Sequence, residues 1–166
     1  PAASRDKNSA LEAFLLSMAW GYGGVGYGPW RTKRIMCSNP NAPEVFMQAS
    51  KILSAEGPIS SYGFLSGSGR LKYLGPSFGT KFLYVVSDDE PASVALIFDA
   101  VVSRAIELGT GLRIPATLWN PDNYRRYLSL VSGWACQLKC TPVDVELLLF
   151  VGESPGQWTE HWVSLR

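Results

Sequence analysis

The stretch GPSFGTKFLYVV, residues 75–86, begins as a turn and continues as an apolar run, with a lysine, Lys81, where the two meet. A glycine followed by a proline is typical of a turn or of the first position of a helix. The run predicts a helix over about Phe78–Val86, although Leu83–Val86 alone would also suit a strand. Most neighbours of Lys81 are residues that normally enter a core, so the position of its charge needs an explanation.

The composition is that of a globular chain with ample core residues. Of 166 residues, 46% are hydrophobic and 17% are charged, which argues against intrinsic disorder. The net charge is only +1, so a nucleic-acid-binding role requires a local basic patch; the best are 31–34 and Arg125-Arg126. No apolar run approaches a membrane span, and the start lacks the pattern of a secretion signal. We expect one compact domain over residues 1–166, monomeric, soluble and cytoplasmic.

The pattern along the chain predicts a mainly helical protein. Ser9 and Glu12 have the spacing of a capping box, which places the first helix start at Ala10. The segment 21–31 is predicted to be a loop because it has five glycines between Gly21 and Gly28. The segment Ala92–Phe98 suits a strand or an extended loop. The predicted helices cover about residues 10–20, 41–55, 59–65, 78–86, 100–108, 121–139 and 142–152.

Asp99 stands in a fixed relation to Lys81 along the chain. It comes 18 residues later, after the apolar residues 95–98 and directly before the predicted helix 100–108. An aspartate in that position commonly acts as the N-cap of the helix. Lys81 thus lies in the first turn of one predicted helix, and Asp99 directly precedes another.

This arrangement resembles the helix-hairpin-helix DNA glycosylases, and most closely the 8-oxoguanine DNA glycosylase branch. The hairpin of that branch reads Pro-Gly-hydrophobic-Gly-Thr-Lys, and residues 76–81 read PSFGTK. In that family the lysine is the catalytic amine, and an aspartate a little under twenty residues later is its partner. The resemblance implies that Lys81 and Asp99 are catalytic. It also implies an all-α, two-lobed fold with its helix-hairpin-helix region at about residues 59–108.

These residue types suit the removal of a base from DNA. A lysine that loses its proton can attack the sugar carbon and form a Schiff base, and an apolar site favours the neutral amine. A carboxylate stabilises the positive charge that builds on the sugar. The target base must be flipped from double-stranded DNA into a pocket, for which we expect Tyr22, Tyr27 and Trp30. The residues expected to contact the DNA backbone are Pro76, Ser77, Phe78, Gly79, Thr80 and Arg31.

Because the sequence departs from the family pattern, the identity of the target base is left open. Ser77 replaces the first hairpin glycine, Ile97-Phe98 precede Asp99 where the family often has Pro-Val, and Val85 stands where some members have cysteine. The family default is 8-oxoguanine. A modified base in foreign DNA, the target of a defence protein, is the alternative.

Other classes of protein are compatible with parts of the sequence. A non-catalytic helix-hairpin-helix module that binds DNA or protein would leave Lys81 exposed and far from Asp99. A helical interaction protein, in which the motif is a coincidence, suits the near-zero net charge. A dinucleotide-binding enzyme could use the G-x-G-x-x-G pattern of residues 21–26, but it requires a preceding strand and a βαβ unit.

No metal or cofactor is expected. Cys136 and Cys140 are one helical turn apart and could bind zinc together with His161, but there is no paired C-x-x-C signature. Some helix-hairpin-helix glycosylases hold an iron–sulfur cluster with four cysteines, and this chain has three.

Overall fold

The structure is a computed structural model that describes residues 6–23, 26–87 and 94–153. These residues form eight helices and no strand, which confirms the all-helical prediction. The helices are α1 (Lys7–Tyr22), α2 (Tyr27–Ser38), α3 (Ala42–Glu56), α4 (Pro58–Ser66), α5 (Pro76–Val85), α6 (Ala100–Thr110), α7 (Pro121–Leu138) and α8 (Pro142–Glu153). None of the helices described is long and apolar enough to cross a bilayer.

The helices pack in two groups that share one hydrophobic core. In the first group α1 contacts α2, α3 and α5, and α4 packs on α3 and α5. In the second group α6 and α7 both pack on α8. The groups meet where α4 packs against α7, and there the buried rings of Tyr62 and Tyr124 stack with centroids 4.3 Å apart. Such an aromatic pair stabilises the fold by about 0.5–1.5 kcal/mol beyond the contribution of the apolar area that it buries.

Helix α1 begins one turn earlier than the capping box predicts. Its N-cap is Asp6, whose Oδ1 accepts hydrogen bonds from the backbone N–H groups of Asn8 and Ser9 at 2.8 and 3.0 Å. The Ser9 hydroxyl, predicted as the cap, donates to the other Asp6 oxygen at 2.6 Å. The predicted start was wrong because two capping residues lie three positions apart and the carboxylate takes the amides.

The loop predicted for the glycine-rich segment is wrong for most of its length, because α1 continues to Tyr22 and α2 begins at Tyr27. Two of the glycines serve close packing. A Cβ on Gly21 would lie 2.6 Å from the Phe78 ring, and one on Gly28 would lie 3.0 Å from the Cβ of Tyr22. Glycine disfavours a helix by about 1 kcal/mol relative to alanine, and here the contacts between helices outweigh that cost.

Candidate active site

Lys81 and Asp99 form a buried ion pair. The lysine lies on α5 and the aspartate directly precedes α6. The Nζ of Lys81 lies 2.7 Å from the Oδ2 of Asp99, and only 10% and 12% of the two side chains are exposed. The structure therefore brings together the two residues that the spacing in the sequence paired. A buried pair of this kind is stable only when its remaining hydrogen-bonding capacity is also satisfied.

Asp99 divides its two oxygens between two tasks. Oδ1 accepts hydrogen bonds from the backbone N–H groups of Val101 and Val102 at 3.0 and 3.3 Å, which caps α6. Oδ2 is thereby left to face Lys81. The positive end of the helix dipole adds to the stabilisation of the carboxylate. The cap fixes the position of the carboxylate, so capping and contact with the amine occur together.

Among the described residues, the Lys81 side chain also contacts the polar Ser77 and the apolar Phe78 and Gly21. Its Nζ donates a hydrogen bond to the Ser77 hydroxyl at 3.3 Å and lies 5.7 Å from the centroid of the Phe78 ring. Its stem packs against α1 at Gly21, where a Cβ would lie 3.0 Å from the lysine Cδ. Ser77 stands where the family pattern has glycine, so this hydrogen bond is one that the pattern residue could not make.

The segment before Asp99 is buried and extended, and several of its backbone groups form hydrogen bonds with side chains. Ala95, Leu96, Ile97 and Phe98 are all buried and belong to no helix or strand. In a sheet, a neighbouring strand would supply the hydrogen bonds that buried backbone requires. The side-chain partners are Ser87 for the Ala95 N–H, Tyr124 for the Leu96 carbonyl, Glu146 for the Ile97 N–H and Thr80 for the Phe98 N–H.

Glu146, on α8, is a buried acid that the sequence analysis missed. Its Oε2 accepts the Ile97 N–H at 2.9 Å, and only 8% of the residue is exposed. Burial raises the pKa of Glu146 from its ordinary 4.5 to about 8; the charge of Asp99 adds to the rise, while the Ile97 N–H and Lys81 oppose it. Glu146 is therefore mostly protonated at neutral pH. The signal in the sequence was a single acid in an otherwise apolar run, residues 145–152.

A cleft opens beside the ion pair. It has a volume of about 390 Å³ and lies at the N-terminal ends of α5 and α6. Four of the six residues expected to contact DNA line it together with Asp99. The lining residues are Arg31, Gly75, Pro76, Ser77, Phe78, Asp99, Ala100, Val101, Ala116 and Thr117.

The other two expected DNA contacts, Gly79 and Thr80, are buried and do not line the cleft. The Trp119 ring covers Gly79 so closely that a Cβ there would lie 2.3 Å from it. The Thr80 hydroxyl donates to the Pro76 carbonyl at 2.9 Å and accepts the Phe98 N–H. Residues 76–80 form the first turn of α5, with no positive φ among them, so the serine at position 77 meets no strain.

The three aromatic residues expected to form a base pocket lie in a row. Tyr22 stacks on Phe78 at the cleft, with ring centroids 4.6 Å apart. Tyr27 contacts Tyr22 edge-on at 5.9 Å, and Trp30 follows at 4.8 Å. Tyr27 and Trp30 are 47% and 48% exposed. Only Tyr22 therefore adjoins the cleft, and the other two continue the row over the surface.

The remaining candidate residues lie elsewhere. Cys136 is exposed and Cys140 half-buried, while His161 lies outside the described residues. Arg125 and Arg126 line a separate groove with Leu112, Ile114, Ser129 and Leu130. Residues 24 and 25 of the G-x-G-x-x-G pattern are also outside the described part of the chain. The residues before that pattern are helical, not a strand.

The helical fold, with a lysine and an aspartate brought together from two helices, agrees with the class of protein that the sequence resembles. A family model described as "putative 8-oxoguanine DNA glycosylase OGG-like protein" matches residues 2–150. The match covers most of the chain, and the chain belongs to this family. No curated protein and no solved structure matches it.

Proposed function

We propose that this protein is a DNA glycosylase that removes a damaged or modified base with Lys81 as the nucleophile and Asp99 as its acid–base and electrostatic partner. The observation that carries the proposal is the 2.7 Å contact between Nζ and Oδ2 in a site that is nine-tenths excluded from water. Membership of the OGG-like glycosylase family supports it. The adjoining cleft offers a place for a nucleotide flipped out of the duplex.

In the proposed reaction, Lys81 first gives a proton to Asp99, which its contact with Oδ2 permits. The free amine attacks C1′ of the flipped nucleotide, the C1′–N bond breaks, and the base leaves with the bonding electrons. The positively charged Nζ of the new C1′–Nζ bond gives up a proton, which the departing base takes up. The C1′–O4′ bond then breaks, O4′ receives the proton held by Asp99, and a protonated imine forms between Nζ and C1′.

The imine also permits strand cleavage. It makes the C2′ proton acidic, and loss of that proton is followed by departure of the 3′ phosphate oxygen with the electrons of its bond to C3′. Asp99 is the nearest carboxylate to Nζ among the described residues and is the acceptor that we propose for the C2′ proton. The protein would then have lyase as well as glycosylase activity.

The non-catalytic alternative is less well supported. A module that only binds DNA has no use for a lysine buried against an aspartate, and such a pair costs desolvation energy. Oxidised guanine remains the default base, and a modified base of foreign DNA the second candidate. Lys81 donates a hydrogen bond to Ser77, where the family pattern has glycine, and this difference in the site supports keeping the second candidate.

Base release from labelled duplexes tests the proposal. The duplexes carry 8-oxoguanine, an abasic site or another modified base, and both free base and strand nicking are measured. We expect Lys81→Gln and Asp99→Asn to abolish turnover of the accepted substrate. Lys51→Gln, an exposed lysine on α3, is the control and should leave it unchanged. DNA binding without turnover of any duplex would favour the non-catalytic module, and absence of binding would overturn the proposal.

A further inference from the structure

A basic surface is built from two segments that are far apart in the sequence. Helix α2 and the connection 67–75 together carry five cations and no acid. The acid-free stretches are longer still, because residues 13–43 and 57–87 contain no Asp or Glu. This is the local patch that a chain of net charge +1 needs in order to bind nucleic acid. We call it the basic aromatic surface: Arg31, Lys33, Arg34, Arg70 and Lys72 with Trp30 and Tyr73.

Two rings of this surface enclose an arginine. The guanidinium carbon of Arg34 lies 5.0 Å from the centroid of the Trp30 ring and 4.1 Å from that of Tyr73. Its Nη2 also donates a hydrogen bond to the Tyr73 hydroxyl at 3.1 Å. Trp30 and Tyr73 nevertheless remain 48% and 43% exposed. The surface therefore presents flat aromatic faces that are fixed in place by a cation.

Hydrogen bonds lock the connection 67–75 onto α2. The buried side chain of Asn39 pairs with the backbone of Lys72, accepting its N–H at 2.9 Å and donating to its carbonyl at 3.1 Å. Arg31 donates to the Tyr73 carbonyl at 3.0 Å. Tyr73 has a φ of 68°, in the left-handed region that disfavours residues other than glycine, and these contacts hold it there. The ring and its neighbouring cations are thus preorganised.

The basic aromatic surface is continuous with the candidate active site. The row of rings begins at Phe78 in the cleft, passes through Tyr22 and Tyr27, and reaches Trp30 and then Arg34. Arg31 belongs to both, because it lines the cleft and bonds to the connection 67–75. A linear polymer that enters the cleft can therefore continue across this surface.

We propose that the basic aromatic surface binds the DNA strand beside the target nucleotide, with its cations on the phosphates and an unpaired base stacked on Trp30 or Tyr73. The alternation of rings and cations fits a strand in which bases alternate with phosphates. An acidic peptide would engage the cations but leave the rings without a role. The inference rests on the proposed function for the identity of the polymer.

Binding measurements on the full chain test this surface. The protein with Lys81 intact is titrated against single-stranded oligothymidine and against a fluorescent duplex with a tetrahydrofuran abasic-site analogue, which cannot form an imine. Alanine at Trp30 or Tyr73 should weaken binding of the single strand about tenfold, and Trp30→Phe should restore most of it. Arg34→Ala should reduce the slope of log Kd against log salt by about one. Trp20→Ala and Lys51→Ala, exposed residues outside the surface, should change neither.

Binding by Trp30→Ala and Tyr73→Ala equal to that of the parent would overturn the inference. So would a peptide of glutamates that competes as well as oligothymidine does. Borohydride trapping of the protein with intact Lys81 on an abasic duplex is read separately. If an adduct forms but Trp30→Ala and Tyr73→Ala bind as the parent does, only the proposed surface is overturned. If these variants bind more weakly but no adduct forms, the glycosylase proposal is overturned and the surface is supported. Absence of DNA binding overturns both.

Discussion

Lys81 Nζ and Asp99 Oδ2 lie 2.7 Å apart, and the aspartate caps α6 with its other oxygen. One carboxylate thus caps a helix and contacts the amine, on separate atoms. The cap holds the carboxylate where the amine needs it, and the amine compensates for the burial of the charge.

Breaking this pair from either side should destabilise the protein. Removing one member of a buried ion pair costs about 3–5 kcal/mol because the other charge remains buried. Asp99→Ala should cost more than Asp99→Asn, since the asparagine keeps the cap and a lost cap costs about 1 kcal/mol. Urea unfolding measures the loss of free energy of unfolding in both variants. Losses under about 0.5 kcal/mol would mean that water screens the pair as it does at a surface.

Glu146 should make stability depend on pH. Its folded pKa of about 8 lies above the ordinary 4.5, so the folded state binds the proton more tightly. Its contribution to the free energy of unfolding is fully present below pH 4.5 and is lost as the pH rises through 8. The charged and titratable groups that act on Glu146 or are acted on by it are Asp99, Lys81, Tyr84, Tyr124 and Tyr127.

Glu146→Gln isolates that contribution, because the amide oxygen still accepts the Ile97 N–H. The parent should lose stability relative to the variant between pH 5 and pH 9, by up to a few kcal/mol. Urea unfolding at the two pH values gives the difference. An equal pH dependence in both proteins would show that the buried carboxyl does not titrate in this range.

Two glycine-to-alanine substitutions should act in opposite directions. At Gly79 the new methyl would lie 2.3 Å from the Trp119 ring, and overpacking of this kind costs about 1–3 kcal/mol. Gly133 is exposed within α7, and a Cβ there meets no described atom within 4 Å. Alanine at 133 should therefore stabilise by about 0.5–1 kcal/mol. Thermal unfolding compares the two, and a stable Gly79→Ala would place Trp119 elsewhere.

Tyr127→Phe should leave stability unchanged or raise it by about 1 kcal/mol. The Tyr127 hydroxyl is buried and is the only such side-chain group without a hydrogen-bond partner among the described residues. Removing an unsatisfied polar group removes a desolvation cost of about 1–3 kcal/mol. The ring, which stacks on Phe98 with centroids 4.9 Å apart, stays in place. A loss above 1 kcal/mol in chemical unfolding would reveal a partner for that hydroxyl.

The parts of the account that the sequence could predict are local. The start of α7 at Asn120-Pro121 depends on a few adjacent residues and was predicted correctly, whereas the capping box at Ser9 gave the wrong start for α1. The pairing of Lys81 with Asp99 followed from a family spacing, and the structure places the two in contact. The roles of the site residues remain predictions.

The rest depends on contacts between residues far apart in the chain. The glycines at 21 and 28 allow helices to approach, and nothing nearby distinguishes that use from a loop. Tyr73 meets Arg34 across 39 residues, and Glu146 meets Ile97 across 49. Periodicity and capping signals reach only a few residues, so contacts at these separations emerge only once the helices are packed.

Borohydride trapping followed by peptide mass mapping shows whether Lys81 forms an imine with the sugar. The protein is mixed with an abasic duplex and with each modified duplex, and borohydride reduces any imine to a stable amine. We expect one covalent adduct, carried by the peptide containing Lys81 and absent from Lys81→Gln. An adduct on another amine, or base release that persists in Lys81→Gln, would contradict it.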